Sequence, residues 1–403
     1  MIPLEDARRH VLDRTPVLAP VVVPLAGALG SVTAEAVTSG EDVPPFANTA
    51  VDGYAVQAAD TAGAPVTLRV VGLLPAGAAP STPVGAGEAV RIMTGAPVPP
   101  GADAIVMVED TETRDGVVRV GRAVNVGDAV RRAGSDVTTG QEVLPAGTVI
   151  GPAHLGVLAS IGRTEVTVWP PPRVGVLSTG DELVEGGDPL APGQIRESNR
   201  SMLLALVARA GCVPVDLGLV RDDEAAITAA LRGAAATCDA VVTSGGVSMG
   251  DYDLIKVVLD RIADMRWMQI AIKPAKPFAF GTIAAGDRVV PVFGLPGNPV
   301  SSLVSFEVLA RPGLRKMMGQ PAIDHPTVRA VADDGLPRHP DGKLHLVRTH
   351  GRFEPDGRWH VRSTGAQGSH QLAATAAADG LALLPDGDGV APGGDVDVLL
   401  IGW

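Results

Sequence analysis

A ten-residue loop, SGGVSMGDYD at 244–253, joins an apolar run to an amphipathic one and constrains the fold more than any other stretch. DAVV (239–242) reads as a buried strand. In LIKVVLDRI (254–262), Leu254, Ile255, Val258, Leu259 and Ile262 fall on one helical stripe. A strand handing over to a helix through such a loop presents backbone N–H groups and the positive end of a helix dipole, where a phosphate or oxyanion can be received. Asp251 and Asp253 close the loop, and two carboxylates beside a phosphate site suit Mg²⁺. By itself the loop favours only a nucleotide-like ligand.

The surrounding pattern is α/β. RVGVLS (173–178) predicts a strand, and 198–211 a helix with Ser198 or Asn199 as N-cap and Gly211 just past its end. VPVDLGLV is a strand, Asp222 is expected to cap a helix over 223–236, and VVPVFG (289–294) is a further strand. It leads through LPGNP into a helix starting at Pro299, with Asn298 as N-cap. Strands alternating with helices imply a mostly parallel sheet with ligand loops at its carboxyl edge. Before the proline run WPPPR (169–173), valine-rich runs such as VTLRVVGLL (66–74) and AIVMVED (104–110) predict a small β barrel or sandwich over 47–140. The chain begins with a helix from Leu4 to Leu12, and returns to strand-plus-helix character over 148–162. From about 320 onward, KLHLVRTH and RWHVRS between Asp-Gly turns predict a small β-domain, with AATAAADG (373–380) helical.

Three loops should meet at the carboxyl edge: STGDEL (178–183) with Asp181 and Glu182, the 244–253 loop, and GLPGNPVSS (294–302) with Asn298, Ser301 and Ser302. Each alone is also what a cap and a turn would use; three sharing these features favour a site. Lys273 and Lys276 lie on the proline-stiffened segment IAIKPAKPFAFG (270–281), where fixed ammonium groups suit a phosphate or tetrahedral oxyanion. Asp52 before Gly53, Thr94 before Gly95, and Asp136 in RRAGSDV are equally compatible with plain turns, and residue chemistry leaves them unassigned.

A net charge of −12 argues against broad nucleic-acid binding, which needs a basic face. The richest apolar run, VVVPLAGAL (21–29), is broken by proline and glycine and is too short to cross a bilayer. Glu5 and Asp6 near the start, with no signal-like apolar core, point to a cytoplasmic protein. Cys212 and Cys238, both in apolar surroundings, read as reduced core residues. The histidines His339, His345, His350 and His360 show no metal-ligand spacing and read as surface residues.

Taken together, DGYAV (52–56), RIMTGAPVPPGAD (91–103), STGDEL (178–183), SGGVSMGDYD (244–253), KPAKPFAFG (273–281) and GLPGNPVSS (294–302) resemble the molybdopterin molybdenumtransferase family, the MoeA-type molybdenum insertases. The resemblance runs essentially the whole length. It implies an elongated homodimer of four-domain chains. A discontinuous dimerisation domain would comprise 1–46 plus 141–170, and a β-rich inserted domain 47–140. An α/β domain like the molybdopterin adenylyltransferases would cover 171–318, and a β-barrel-like domain 319–403. The implied reaction takes adenylylated molybdopterin, molybdate and Mg²⁺, and releases AMP and molybdenum cofactor. By motif, Asp52, Thr94, Asp136, Glu182 and Asp253 belong to the substrate and Mg²⁺ machinery, with Glu182 and Asp253 on the metal. Substrate contacts would come from Ser178, Thr179, Gly180, Ser244, Gly245, Gly246, Ser248, Gly250, Pro296 and Asn298. Lys273, Lys276 and Ser301 would hold molybdate or the phosphates. Arg348 and Ser369 match positions implicated in binding molybdate. The chain departs from the pattern in reading NTAVDGY where serine and methionine are usual, and in carrying Asp379 where asparagine is usual.

Asp52 and Thr94 fall in the inserted domain and the phosphate loops in the α/β domain. In a two-fold dimer one subunit's inserted domain is therefore expected over its partner's sheet edge, giving a shared active site. Contact with a molybdopterin adenylyltransferase is a further expectation. Two other readings compete. One is adenylylation of molybdopterin, for which the DGYAV segment and the C-terminal domain would be surplus. The other is a non-catalytic scaffold, which would tolerate loss of Asp52, Glu182 and Asp253.

Overall fold

The structure is a computed structural model that describes residues 1–247 and 254–402. Two compact units are present: Met1–Val21 with Gly30–Ala34 and Thr167–Trp403, and Val22–Leu29 with Glu35–Val166.

The first unit is built on a six-stranded sheet. Its strands are β1 (Arg173–Thr179), β2 (Val213–Val220), β3 (Ala240–Ser244), β4 (Ala263–Gln269), β5 (Pro277–Ala285) and β6 (Arg288–Leu295), in the order β2-β1-β3-β6-β5-β4. β2, β1, β3 and β6 run parallel; β5 and β4 extend the sheet antiparallel. The helices α1 (Asn199–Arg209), α2 (Glu224–Thr237), α3 (Leu254–Ile262) and α4 (Pro299–Ser305) connect or follow these strands. Both faces of the sheet are apolar, which is why the parallel strands read as continuous hydrophobic runs. Val174, Val176, Val242 and Phe293 pack with Leu203, Leu206 and Val207 of α1 on one face. Val241 and Val292 pack with Ile227 and Leu231 of α2 and with Ile255, Val258 and Leu259 of α3 on the other. The α3 stripe expected from its periodicity is therefore the buried one.

Local signals differ from expectation at three places. The cap of α2 is Asp223, whose carboxylate accepts from Ala226 N at 2.7 Å, while Asp222 faces the Asp181 loop. α1 starts after Ser198 as expected, but its side chain makes no capping bond; Glu197 Oε1 accepts from Arg200 N at 2.8 Å instead. The helix anticipated over 373–380 is the short turn Leu372–Ala376, and Gly380 already begins a strand.

The C-terminal part of this unit is a closed five-stranded barrel: Leu344–Phe353, Trp359–Ser363, Thr327–Ala332, Gly394–Leu400 and Gly380–Leu384, the last pairing back onto the first. Ile272–Lys273 adds to it in parallel, setting Lys273 opposite His345. The helix Leu4–Arg14 belongs to the same unit, where Arg8 donates to Val308 O at 2.7 Å. Among the described residues, no helix is long and apolar enough to cross a membrane.

The second unit carries a six-stranded sheet ordered Ala104–Met107, Gly53–Val56, Glu88–Ile92, Val66–Leu74, Val117–Val120, Thr111–Arg114. Where a barrel or sandwich was expected, one sheet buries both faces. Tyr54, Val56 and Val106 lie in one cluster, and Ala55, Val90 and Ile105 in the other.

Candidate active site

Parallel strands end side by side, so β1, β3 and β6 deliver their loops to one edge. Ser178 pairs with Ser244, and Ser244 with Leu295. Gly245 N donates to Leu295 O at 3.0 Å. Gly245 and Gly246 both have positive φ, +93° and +78°, so the chain turns back where side chains would be strained. A Cβ at Gly245 would sit 3.5 Å from Thr179 O, and one at Gly297 would sit 3.8 Å from the Cα of Gly245. Thr179, Gly180, Gly245, Gly246, Pro296, Gly297 and Asn298 thus converge, as the three-loop reading expects. Ser248, Gly250, Asp251 and Asp253 lie outside the described residues.

Glu182 is exposed on the β1 loop, and its carboxylate folds back over Gly180. Mg²⁺ keeps most of its waters and takes one or two carboxylates beside phosphate oxygens. An accessible carboxylate beside glycine-rich strand ends fits that mode of binding. Among the described residues, no group of three or more His, Cys, Asp or Glu side chains is arranged as a dedicated metal cage.

Sequence reasoning missed the polar cluster behind these loops. Glu197, Asn199 and Arg200 sit at the start of α1 and tie the strand ends together. Ser178 Oγ donates to Glu197 Oε1 at 3.0 Å. Asn199 Nδ2 donates to Ser244 Oγ at 2.8 Å and to Gly297 O at 2.6 Å. The Arg200 guanidinium pairs with Asp216 on β2 and with Glu185 of the β1 loop. The available signal was RESNRS at 196–201, six consecutive polar residues leading into a mostly apolar helix.

Ser301 is buried in α4, and Val300 N donates to Ser369 O at 3.1 Å, so the Ser369 loop reaches the start of that helix. Arg348 is 0 % exposed. Its Nη2 donates to Ala366 O (2.9 Å) and Gly368 O (3.2 Å), while Nε and Nη1 have no partner among the described residues. Gln367 holds its backbone from both sides, accepting from Arg348 N and donating to Arg348 O, each at 3.0 Å. Burial pushes the Arg348 guanidinium pKa down. Lys273 and Lys276 are both exposed. Lys273 lines a cavity of about 610 Å³ with Ser363, Gln367, Arg338 and His345. His345 and His360, expected at the surface, are half-buried and bonded to Asp341 (3.1 Å) and Asp333 (2.6 Å). Asp379 accepts from Gly351 N at 2.8 Å.

In the second unit, Asp52 and Thr94 come together. Thr94 gives its N–H and its hydroxyl to Asp52 Oδ1, both at 2.7 Å. The backbone bond first, then the hydroxyl, holds the Asp52 carboxyl below the usual range. Gly53 opens a strand rather than a hairpin turn, pressed against the Val106 carbonyl where any Cβ would collide. Asp136 is exposed, with its N–H on Val43 O at 2.9 Å. Cys212 and Cys238 are unpaired and buried, and burial pushes the Cys212 thiol up to about 12.

Residues 2–162 match the MoeA N-terminal region (domain I and II), 175–316 a probable molybdopterin binding domain, and 329–401 the MoeA C-terminal region (domain IV). The molybdopterin molybdenumtransferase of Haemophilus influenzae is 40% identical over 377 residues, 93% of this chain and 92% of that one. Molybdopterin molybdenumtransferase 2 of Mycobacterium tuberculosis is 40% identical over 394 residues, 95% of each chain. A crystal structure of the molybdopterin biosynthesis MoeA protein from Pyrococcus horikoshii superposes with a TM-score of 0.80 at 30% identity, covering 99% of this chain and 100% of that one. The chain belongs to the MoeA family of molybdopterin molybdenumtransferases.

Proposed function

We propose that this transferase binds adenylylated molybdopterin at the carboxyl edge of its parallel sheet and loads molybdenum from molybdate onto the dithiolene, with Mg²⁺, in the last step of molybdenum cofactor biosynthesis. Water cleaves the phosphoanhydride to AMP and the pterin's terminal phosphate. The two dithiolene thiols give their protons to one molybdate oxide, which leaves as water, and both sulfurs bind molybdenum. The observation that carries the reading is Arg348, a wholly buried cation whose side chain, among the described residues, bonds only to carbonyls and has two nitrogens without a partner. Such a charge is costly unless an anion reaches it, and a tetrahedral dianion has both the charge and the acceptors. Lys273, Lys276, Ser301 and Ser369 would complete the oxyanion contacts. Ser178, Thr179, Ser244, Gly245, Gly246, Pro296 and Asn298, with Ser248 and Gly250, would receive the phosphates.

Glu182 and Asp253 would hold Mg²⁺, which neutralises charge on the phosphate oxygens when bound. Asp52, oriented by Thr94, and Asp136 would act on the ligand. The reading includes a cytoplasmic homodimer with shared active sites, and receipt of substrate from a molybdopterin adenylyltransferase. The unpaired Cys212 and Cys238 support a reducing compartment. Incubation with adenylylated molybdopterin, Mg²⁺ and molybdate should release AMP and transfer the metal. Absence of both would overturn the proposal, and ATP consumption without molybdate would point to adenylylation instead.

A further inference from the structure

We infer that Asn199 is a positioning residue for the transfer reaction: its carboxamide fixes the Ser244–Gly246 loop against the Pro296–Asn298 loop, and so sets the spacing of the groups that receive the ligand. The two bonds from Nδ2, to Ser244 Oγ at 2.8 Å and Gly297 O at 2.6 Å, reach residues 45 and 98 positions away in sequence. They also settle the amide's orientation. Turned over, the side chain would set its oxygen against the Gly297 carbonyl, and two acceptors repel. Gly245 and Gly246 have positive φ, and glycine backbone is freer than any other, so the loop needs an external tie. Pro296–Asn298 is continuous with the start of α4, so moving Gly297 also moves the segment that presents Ser301. Asn199 itself is only 9 % exposed and belongs to the first turn of α1, whose far end packs in the sheet core. A rigid element therefore carries the tie. Displacement of a reacting group by about 1 Å can cost roughly a hundredfold in rate, which is the scale on which such a tie matters.

This inference rests on the proposed reaction, and the test separates the two. Asn199→Ala removes both bonds. Asn199→Asp can still accept from the Ser244 hydroxyl but repels the Gly297 carbonyl, so it breaks one tie only. With adenylylated molybdopterin, Mg²⁺ and molybdate, Asn199→Ala should lose about ten- to a hundredfold in kcat/KM, with most of the loss in kcat. Asn199→Asp should fall close to Asn199→Ala if the Gly297 side dominates, and near wild type if the Ser244 side does. Both variants should keep the circular dichroism of the folded protein. If wild type itself releases no AMP, the reaction is wrong and the inference falls with it. If wild type is active and Asn199→Ala matches it while folded, the reaction stands and the positioning role is refuted. Loss of activity only in step with loss of folded protein would show a purely structural role and overturn the inference too.

Discussion

Thr94 donates twice to one oxygen of Asp52, through its backbone N–H and its hydroxyl, each at 2.7 Å. The pair closes a distance of 42 residues in sequence, at an aspartate that is exposed. Both bonds favour the charged form, so the Asp52 pKa lies below its ordinary 3.8. A depressed carboxylate contributes stability that is present above its unfolded pKa and is lost as pH falls through its folded pKa. Thr94→Val keeps the N–H and removes the hydroxyl. The Asp52 pKa should then rise toward 3.8 without reaching it. Thr94→Ser should restore the wild-type value. Carbon-detected NMR titration of the Asp52 carboxyl checks this, and an unmoved pKa in Thr94→Val would show that the hydroxyl contributes nothing.

Gly180 and Glu182 form a second dependent pair. Gly180 has φ of +145°, and a Cβ there would stand 2.6 Å from Glu182 Oε2. Gly180→Ala is therefore expected to push the Glu182 carboxylate off the strand end as well as to strain the backbone. Under the proposed Mg²⁺ role, Gly180→Ala and Glu182→Ala should both raise the Mg²⁺ concentration needed for half-maximal AMP release. Glu182 is exposed, so its removal should leave thermal stability nearly unchanged. Equal Mg²⁺ dependence in wild type and Glu182→Ala would remove this residue from the metal site.

Arg348 offers a test that separates charge from packing. Arg348→Met keeps most of the volume and removes a buried charge that has no carboxylate partner among the described residues. The replacement relieves the desolvation cost of the charge but leaves the Ala366 and Gly368 carbonyls without its donors, so the variant's own melting temperature serves as its baseline. Molybdate at a hundredfold excess over its Kd should stabilise the wild-type protein by about 2.7 kcal/mol. Arg348→Met should lose this molybdate-induced shift relative to that baseline. Differential scanning calorimetry with and without molybdate reads both the baseline and the shift. An unchanged molybdate shift in the variant would place the oxyanion elsewhere.

Periodicity and turn chemistry made much of the sheet legible. The parallel strands are unbroken apolar runs because both faces are covered, and α3 shows its buried stripe directly in LIKVVLDRI. The edge strand β4 alternates, with Ala263, Met265 and Trp267 against Asp264 and Arg266, but it follows α3 without a turn signal that would mark where the helix ends. Asp222 and Asp223 are adjacent acids, and only the chain direction entering α2 decides which one caps. The site divides in the same way. Glycine, serine and asparagine at strand ends are local signals. The ties made by Glu197, Asn199 and Arg200 run to partners on β1, β2, β3 and two loops, and no local pattern encodes them. Likewise, Asp52 beside Gly53 looks like a hairpin turn until the Val106 carbonyl is seen against the glycine.

Asp52 and Thr94 belong to one compact unit, and the β1, β3 and β6 loops belong to the other. The proposed dimer offers a way to combine them across a two-fold axis, with Asp52 of one subunit acting on ligand held by its partner's 244–253 loop. Complementation tests that arrangement. Asp52→Ala and Asp253→Ala proteins, each expected to be inactive, are mixed, unfolded and refolded together. A mixed dimer with sites built in trans has one site with both residues intact and one with neither. Random pairing makes half the dimers mixed, so about one quarter of the wild-type activity should return. If each site is built within one chain, every site in the mixture carries one lesion and no activity returns. Activity measured on mixed dimers isolated by two different affinity tags decides between the two, since failed assembly is then removed as an explanation.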